Sequence, residues 1–303
     1  MSFDVTILGT GSAIPTVKRG TTSHYVNCQQ RHILIDCGEG TQLQMRKFKI
    51  KFQQIDIILI SHLHGDHIFG LPGLLSTMQL LGREHKLKII GPTGIKRLLK
   101  VQFEEVGTSK LFPIEIEEIE EDTTALIFED KCIEISTFPL KHRIQTQGYK
   151  IQEKLGKRRL LKDEFDRTGI SVAYINKLLS GEDVIDNEGR SLKYKEVTLP
   201  PKPPKSYAFC SDTAFHLPIL ESIENVDLLY HEATFLDHES DRAATTFHST
   251  AKQAATIALK ANAKRLVLGH FSARYKSAKN HQTEAQTIFE NTFIPKDGEK
   301  YVV

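Results

Sequence analysis

Residues 60–70 read ISHLHGDHIFG, and the six positions from His62 to His67 hold three histidines and an aspartate. Core packing gives no reason to crowd four ligand-type side chains into one short loop; metal binding does. Two positions apart in an extended segment, His62 and His64 turn to the same side, and Asp66 continues that side. His67 follows directly and points elsewhere. One loop therefore offers ligands to two ions. Histidine with carboxylate suits zinc, or manganese, and disfavours calcium and magnesium.

The stretches around this loop indicate how it is carried. DVTILGTG, HILIDCGEG and IDIILISH are short apolar runs ended by glycine or polar residues, and they read as strands. LPGLLSTMQLLGR reads as a helix, KLKIIGP as a strand and GIKRLLKVQFEEVG as an amphipathic helix. FPIEIEEIE alternates apolar and acidic residues, as a strand with one wet face does. ALIFED, KCIEISTFPL and GYKIQEK continue the sheet. From about Lys154 to Lys205 the pattern breaks into a polar segment poor in strand signals that ends in LPPKPPK, a large insertion. Alternation then returns with SYAFCSD (strand), LPILESIENV (helix), DLLYHEAT (strand), STAKQAATIALKANA (helix), RLVLGHFSA (strand), HQTEAQTIFENTF (helix) and KYVV (short strand). Two sheets covered by outer helices are expected.

Further ligand candidates stand in matching places. His142 follows KCIEISTFPL, Asp212 follows SYAFC and His270 follows RLVLG. Each, like His62, sits where a buried strand runs out, which is where sites assemble in layered α/β proteins. His231 opens HEAT and His248 opens HST, ahead of a helix for which Ser249 is the expected cap. Glu232 is placed to accept a hydrogen bond from His248 and favour its protonated ring. His24, His32, His85, His216, His238 and His281 lack such context and read as structural.

Composition narrows the class. The chain has 303 residues, 40% hydrophobic and 26% charged, ordinary for a soluble globular protein. A net charge of +2 leaves no argument from bulk charge, so a nucleic-acid surface would be a local patch. Cys28, Cys37, Cys132 and Cys210 form no CxxC pair and read as thiols in a reducing compartment. The N-terminus lacks a signal-peptide pattern, and no apolar run reaches ~18 residues, so no membrane span is expected and the cytoplasm is the default.

HxHxDH, with a later His, Asp and His in the same order, resembles the metallo-β-lactamase fold. The resemblance implies an αββα four-layer sandwich with His62, His64 and His142 on one zinc, Asp66, His67 and His270 on another, and Asp212 bridging. GTGSAIP, IDCGEGTQ, HEAT, HST and HFSARY narrow it, over nearly the whole chain, to a resemblance to the short-form ribonuclease Z family of tRNA 3′-processing endonucleases. That resemblance implies a single domain over 1–303 and an inserted flexible arm at 154–205 that grips tRNA. It implies a cytoplasmic homodimer with two Zn²⁺ per subunit, acting on precursor tRNA and leaving a 3′-hydroxyl on the tRNA. Asp66 becomes the proton acceptor, and His248 the general acid or phosphate-binding residue, supported by Glu232. Between Lys150 and Lys205, lysine and arginine outnumber aspartate and glutamate 13 to 9, with Lys157, Arg158 and Arg159 clustered. Such a segment suits RNA phosphates. Lys18 and Arg19 of PTVKRG and Arg274 of HFSARY are further RNA-binding candidates. Relatives often read P-x-K-x-R-N at the first of these loops, and they carry a Gly-Pro-rich arm tip where this chain has TGISVAYINKLLSG. The competing readings are another hydrolase of the same fold, acting on a small phosphodiester, thioester or lactone, and a zinc-stabilised RNA-binding protein without activity. The full ligand set argues against the second, because a structural site is closed and needs only one ion.

Overall fold

Alternation of buried side chains builds the larger of two units. In the strand Arg31–Ile35, Ile33 and Ile35 face one core while Leu34 faces another. In Ser206–Cys210, Tyr207 and Phe209 join the first core and Ala208 and Cys210 a third. Strands buried on both faces are what a sheet sandwiched between another sheet and helices requires.

The computed structural model describes residues 2–105 and 112–303. The larger unit runs to Gln152 and resumes at Lys205; the smaller is Glu153–Pro204. One sheet of the larger unit has the order Lys300–Val302, Phe3–Gly9, Ser23–Cys28, Arg31–Ile35, Ile57–Leu59, Leu87–Pro92, Ile114–Ile119. The other has the order Thr292–Phe293, Leu266–Gly269, Leu228–Glu232, Ser206–Cys210, Thr146–Glu153, Ile133–Leu140, Ala125–Glu129. Their facing sides share one apolar core, from Val5, Ile33 and Leu59 to Tyr149, Phe209 and Val267. Helix Leu71–Leu80 covers the outside of the first sheet with Leu71, Leu74, Leu75 and Met78. Each such buried side chain contributes on the order of 1.5–3 kcal/mol. Helix Ala251–Lys260 covers the second with Ala251, Ala254, Ala255 and Ala258, small enough for close approach. The result is the αββα sandwich.

Several local expectations need correction. Thr250, not Ser249, caps helix Ala251–Lys260, through a reciprocal pair with Gln253. The Ser249 hydroxyl instead donates to the Thr213 carbonyl. LPILESIENV yields only a tight turn at Leu217–Ile219 and one helical turn at Leu220–Ile223. The expected helix GIKRLLKVQFEEVG forms Ile95–Glu105, and its Val106 and Gly107 lie outside the described residues. Among the described residues no helix is long and apolar enough to cross a membrane.

The smaller unit is richer in structure than its polarity suggests. Phe165, Ile170, Leu178, Val184, Leu192 and Val197 make a small core of their own. Two short ladders, Arg159–Leu160 with Thr198–Leu199 and Val184–Ile185 with Ser191–Leu192, frame it. These apolar residues are too widely spaced to register as a periodic run, yet they converge once the chain folds back.

Candidate active site

Strand register gathers the ligand candidates at one edge of the sheets. Cys210 pairs with His231 and Glu232 with Gly269, all in parallel, so Asp212, Glu232 and His270 emerge side by side. Ile35 pairs with Leu59 in the other sheet, which brings Asp36 beside Ser61 and His62. Asp36 and His270 both adopt left-handed backbone, with φ of 56° and 57°. For residues with a Cβ this costs on the order of 1 kcal/mol or more, a strain typical of functional sites.

The motif loop is not extended throughout. His64 is extended, but a short helix begins at Gly65 and carries Asp66 and His67. Asp66 therefore does not continue the side of His62 and His64; the helical turn swings it toward His67 and His270. Gly38 lets the helix seat: a Cβ there would fall 2.1 Å from the Asp66 carbonyl and 2.2 Å from the Thr21 hydroxyl.

Two donor sets result. In the first, His62 Nε2 lies 3.0 Å from His64 Nδ1, and His64 Nδ1 lies 3.3 Å from His142 Nε2. Asp212 Oδ2 is 3.6 Å from His62 Nε2 and 3.8 Å from His142 Nε2. In the second, His67 Nε2 is 3.4 Å from Asp66 Oδ2, from Asp212 Oδ1 and from His270 Nε2. His270 Nε2 is 3.3 Å from Asp66 Oδ2 and 3.2 Å from Asp212 Oδ1. Four donors held about 2.0–2.1 Å from a tetrahedral zinc stand roughly 3.3 Å apart. Both sets match that spacing, and Asp212 contributes one oxygen to each. Asp212 Oδ1 is buried with no hydrogen-bond donor among the described residues. A buried, unsatisfied carboxylate oxygen in a ring of imidazoles fits a metal ligand. The cluster can hold metal.

The electrostatics agree. Burial opposes charge on His67, but Asp212 and Asp36 outweigh it and raise its pKa well above the ordinary value. Burial and then His67 push His62 well below it. Burial opposes charge on Asp66 too, yet His270 and His67 hold its carboxyl far below the usual range. The anionic side chains at this spot thus demand positive charge.

An outer layer orients the ligands. His67 Nδ1 is 2.7 Å from Asp36 Oδ2, and Asp36 also accepts from the Ser61 amide and hydroxyl at 2.7 and 2.8 Å. His142 Nδ1 donates to the Phe247 carbonyl at 2.9 Å. His270 Nδ1 is 2.9 Å from the Thr234 hydroxyl, which donates to Glu232 Oε2 at 2.6 Å. Such partners select the nitrogen that would face a bound metal. Sequence reasoning missed Asp36, Ser61 and Thr234 in this role; the one available signal was an aspartate at a strand end in IDCGEG.

His248 and Glu232 meet as expected, His248 Nδ1 lying 2.8 Å from Glu232 Oε1. Burial pulls the His248 pKa down, but Glu232 outweighs it and raises it to about 9. A cleft of about 440 Å³ opens onto Asp66, Asp212, His248 and His270. His231 takes no part: its ring is buried, with Nδ1 donating to the Glu232 carbonyl at 2.7 Å. His24 and His281 are buried packing residues, their pKa values lowered to about 3 and about 4 by burial.

The cationic candidates divide. Lys18 is exposed and, with Arg19, lines a second cleft of about 450 Å³ that also takes in Lys276 and Lys296. Arg19 is tied down by the Pro295 carbonyl at 3.2 Å and lies 4.8 Å over the Phe271 ring. Arg274 pairs with Glu239 at 3.1 Å and lies over Phe235. In the smaller unit Arg158 donates to the Thr198 hydroxyl at 2.8 Å and lies over Tyr194, whereas Lys157 and Arg159 are exposed.

Comparison with known proteins agrees with this geometry. A family model described as anti-Pycsar protein Apyc1 matches residues 3–151, short of half the chain; that span holds HxHxDH and His142 but not Asp212, His248 or His270. A metallo-β-lactamase-fold protein from Bacillus subtilis, 18% identical, superposes with a TM-score of 0.70 and covers 99% of both chains, a likeness of fold. Human tRNase Z, short form, is 28% identical, with a TM-score of 0.73 and 99% of each chain covered. Ribonuclease Z of Parabacteroides distasonis is 44% identical over 296 residues, 98% of this chain and 97% of the relative. With likeness of that degree over its whole length, the chain belongs to the ribonuclease Z family and is an endoribonuclease built on the metallo-β-lactamase fold.

Proposed function

We propose that this chain removes the 3′ trailer of precursor tRNA by phosphodiester hydrolysis, as a two-zinc enzyme. The observation that carries the reading is the pair of donor sets sharing the Asp212 carboxylate, with His248 held on Glu232 beside them. The substrate class is supported by kinship to a protein named tRNase Z.

His62, His64 and His142 would hold one ion and Asp66, His67 and His270 the other, with the Asp212 carboxylate available to both. Bound there, the two ions would activate the attacking water and neutralise charge on the scissile phosphodiester. Asp66 stays ionised and accepts the proton of that water. The His248 ring is cationic at neutral pH with Nδ1 on Glu232, which leaves Nε2 to donate. The water oxygen bonds to phosphorus, the P–O3′ bond breaks, and the His248 proton goes to the 3′ oxygen of the tRNA. The tRNA keeps a 3′-hydroxyl and the trailer a 5′-phosphate. The test is to incubate purified protein with a precursor tRNA, with and without chelator, and map the new 3′ end. A chelator-sensitive cut after the discriminator nucleotide is expected. Hydrolysis of a small chromogenic phosphodiester with no cut in the precursor would overturn the reading.

Metal removal should also be visible without substrate. A site saturated a thousandfold above its Kd stabilises the fold by about 4 kcal/mol. For a chain of this size that is a fall of roughly 8–16 °C in Tm on chelation. A melting curve indifferent to chelator, with full metal removal verified, would contradict it.

The smaller unit, expected at 154–205, is read as the arm that grips tRNA, and a homodimer as the working form, each subunit's arm serving its partner's centre. The cytoplasm is the proposed compartment, in keeping with the burial of Cys37 and Cys210 as thiols in the core. Arg158 braces the unit's own fold, so the clean variant is Lys157→Ala with Arg159→Ala. It should raise the KM for precursor tRNA and lessen the salt dependence of binding by about 1–2 log units per log unit of salt, since each lost phosphate contact removes close to one released counterion. Turnover of a small phosphodiester should stay unchanged. Equal losses on both substrates would remove the unit from RNA binding.

A further inference from the structure

Phe69 lines the same cleft as Asp66, His248 and His270, yet it is 63% exposed. Its neighbours His67, Ile68 and Leu71 are buried, so exposure is not the habit of this segment. The ring is also braced. A Cβ on Gly65 would come within 2.4 Å of Phe69 Cε2 and 2.6 Å of Cδ2. The ring therefore packs directly on the backbone between the ligands His64 and Asp66, and it remains open to solvent elsewhere. A fixed aromatic surface at the mouth of a nuclease site is suited to receiving a base, because every base has a π face and the ring has little freedom left to lose.

A cation accompanies it. Arg143 follows the ligand His142, is exposed and lines the same cleft. Among the described residues it makes no hydrogen bond or ion pair, unlike Arg19, Arg158 and Arg274. Glu39 also lines the cleft, so a phosphate is drawn toward Arg143 and away from that carboxylate.

We propose that Phe69 is the stacking platform for the first nucleobase of the trailer and that Arg143 holds the adjoining phosphate. The assignment rests on the reading of this chain as a tRNA 3′ endonuclease. It follows from the direction of cleavage. His248 delivers its proton to the 3′ oxygen of the tRNA, so the tRNA side of the scissile phosphate lies at His248. Phe69 directly follows the helix Gly65–Ile68 that carries Asp66 and not His248, so the ring is assigned the nucleotide on the other side of the scissile phosphate, the first of the trailer. Stacking reads no base edge, so this contact tolerates trailers of different sequence.

The experiment uses the full chain with its metals and three precursor tRNAs: intact, abasic at the first trailer nucleotide, and abasic at the discriminator. Single-turnover cleavage is measured over a range of enzyme concentrations. Phe69→Ala should raise the half-saturating concentration for the intact precursor by roughly 5- to 150-fold, the usual weight of one stacked base. Phe69→Tyr should restore most of it. The abasic first trailer nucleotide should weaken the unaltered enzyme equally and abolish its difference from Phe69→Ala. The abasic discriminator should leave that difference in place. Arg143→Ala should lower the salt slope of binding by about one unit. An unchanged half-saturating concentration in Phe69→Ala, or an effect that survives the abasic trailer, overturns the proposal. So does a shift in sedimentation of Phe69→Ala, which would make the ring a subunit contact. Failure of the unaltered enzyme to cut the intact precursor overturns instead the functional reading beneath it.

Discussion

Asp212→Ala is expected to abolish cleavage of precursor tRNA and to lower bound metal from two equivalents toward none. Asp212 Oδ2 stands 3.6 Å from His62 Nε2, and Oδ1 stands 3.2 Å from His270 Nε2, so one side chain completes both donor sets. Removing it leaves the imidazoles of the first set with no anion between them and the second set with Asp66 alone. A loss on the order of 10⁴-fold or more is expected, well beyond the 10- to 100-fold typical when an outer partner of a ligand is lost. Asp36→Asn supplies that comparison, because Asp36 touches His67 Nδ1 and no ligand atom facing the cluster. The measurements are elemental analysis of the purified chain and single-turnover cleavage. Two retained equivalents in Asp212→Ala would refute the bridging role, and retained activity would refute the two-metal centre.

His248→Ala separates chemistry from metal binding. The His248 ring lies beside the cluster and belongs to neither of the two donor sets, although it stands close to Asp212, Glu232 and His270. Metal content should therefore stay at two equivalents while single-turnover cleavage falls by roughly 10²–10⁴-fold, the usual range for a positioned proton donor. The Glu232 contact, with the pKa of His248 raised to about 9, keeps that proton available at neutral pH. Glu232→Gln should reproduce part of the loss by acting through His248, because Glu232 is fully buried and cannot meet substrate itself. Cleavage by His248→Ala at the normal rate would end its role as general acid. A matching fall in metal content would make it a support of the centre instead.

Much of this site was legible in the sequence because its residues follow a local rule. His62, His142, Asp212 and His270 each come within two residues of the end of an apolar run, and such a run ends at a sheet edge whichever strands flank it. Period-two alternation and glycine punctuation likewise marked the strands and the covering helices, since both depend on neighbours two to four residues away. The sequence by itself also pointed the loop His62–His67 toward metal, because no packing argument competes with that density of ligand-type side chains. What only the tertiary structure decided depends on register between distant segments. Asp36 reaches His67 because Ile35 pairs with Leu59, and Glu232 stands between Asp212 and His270 because three parallel strands stop level with one another. The helical turn at Gly65 that redirects Asp66, the division of the Asp212 oxygens between two donor sets and the small core of residues 153–204 belong to the same class. Each is set by contacts across tens to hundreds of residues of chain, and sequence periodicity carries no record of which edge will meet which.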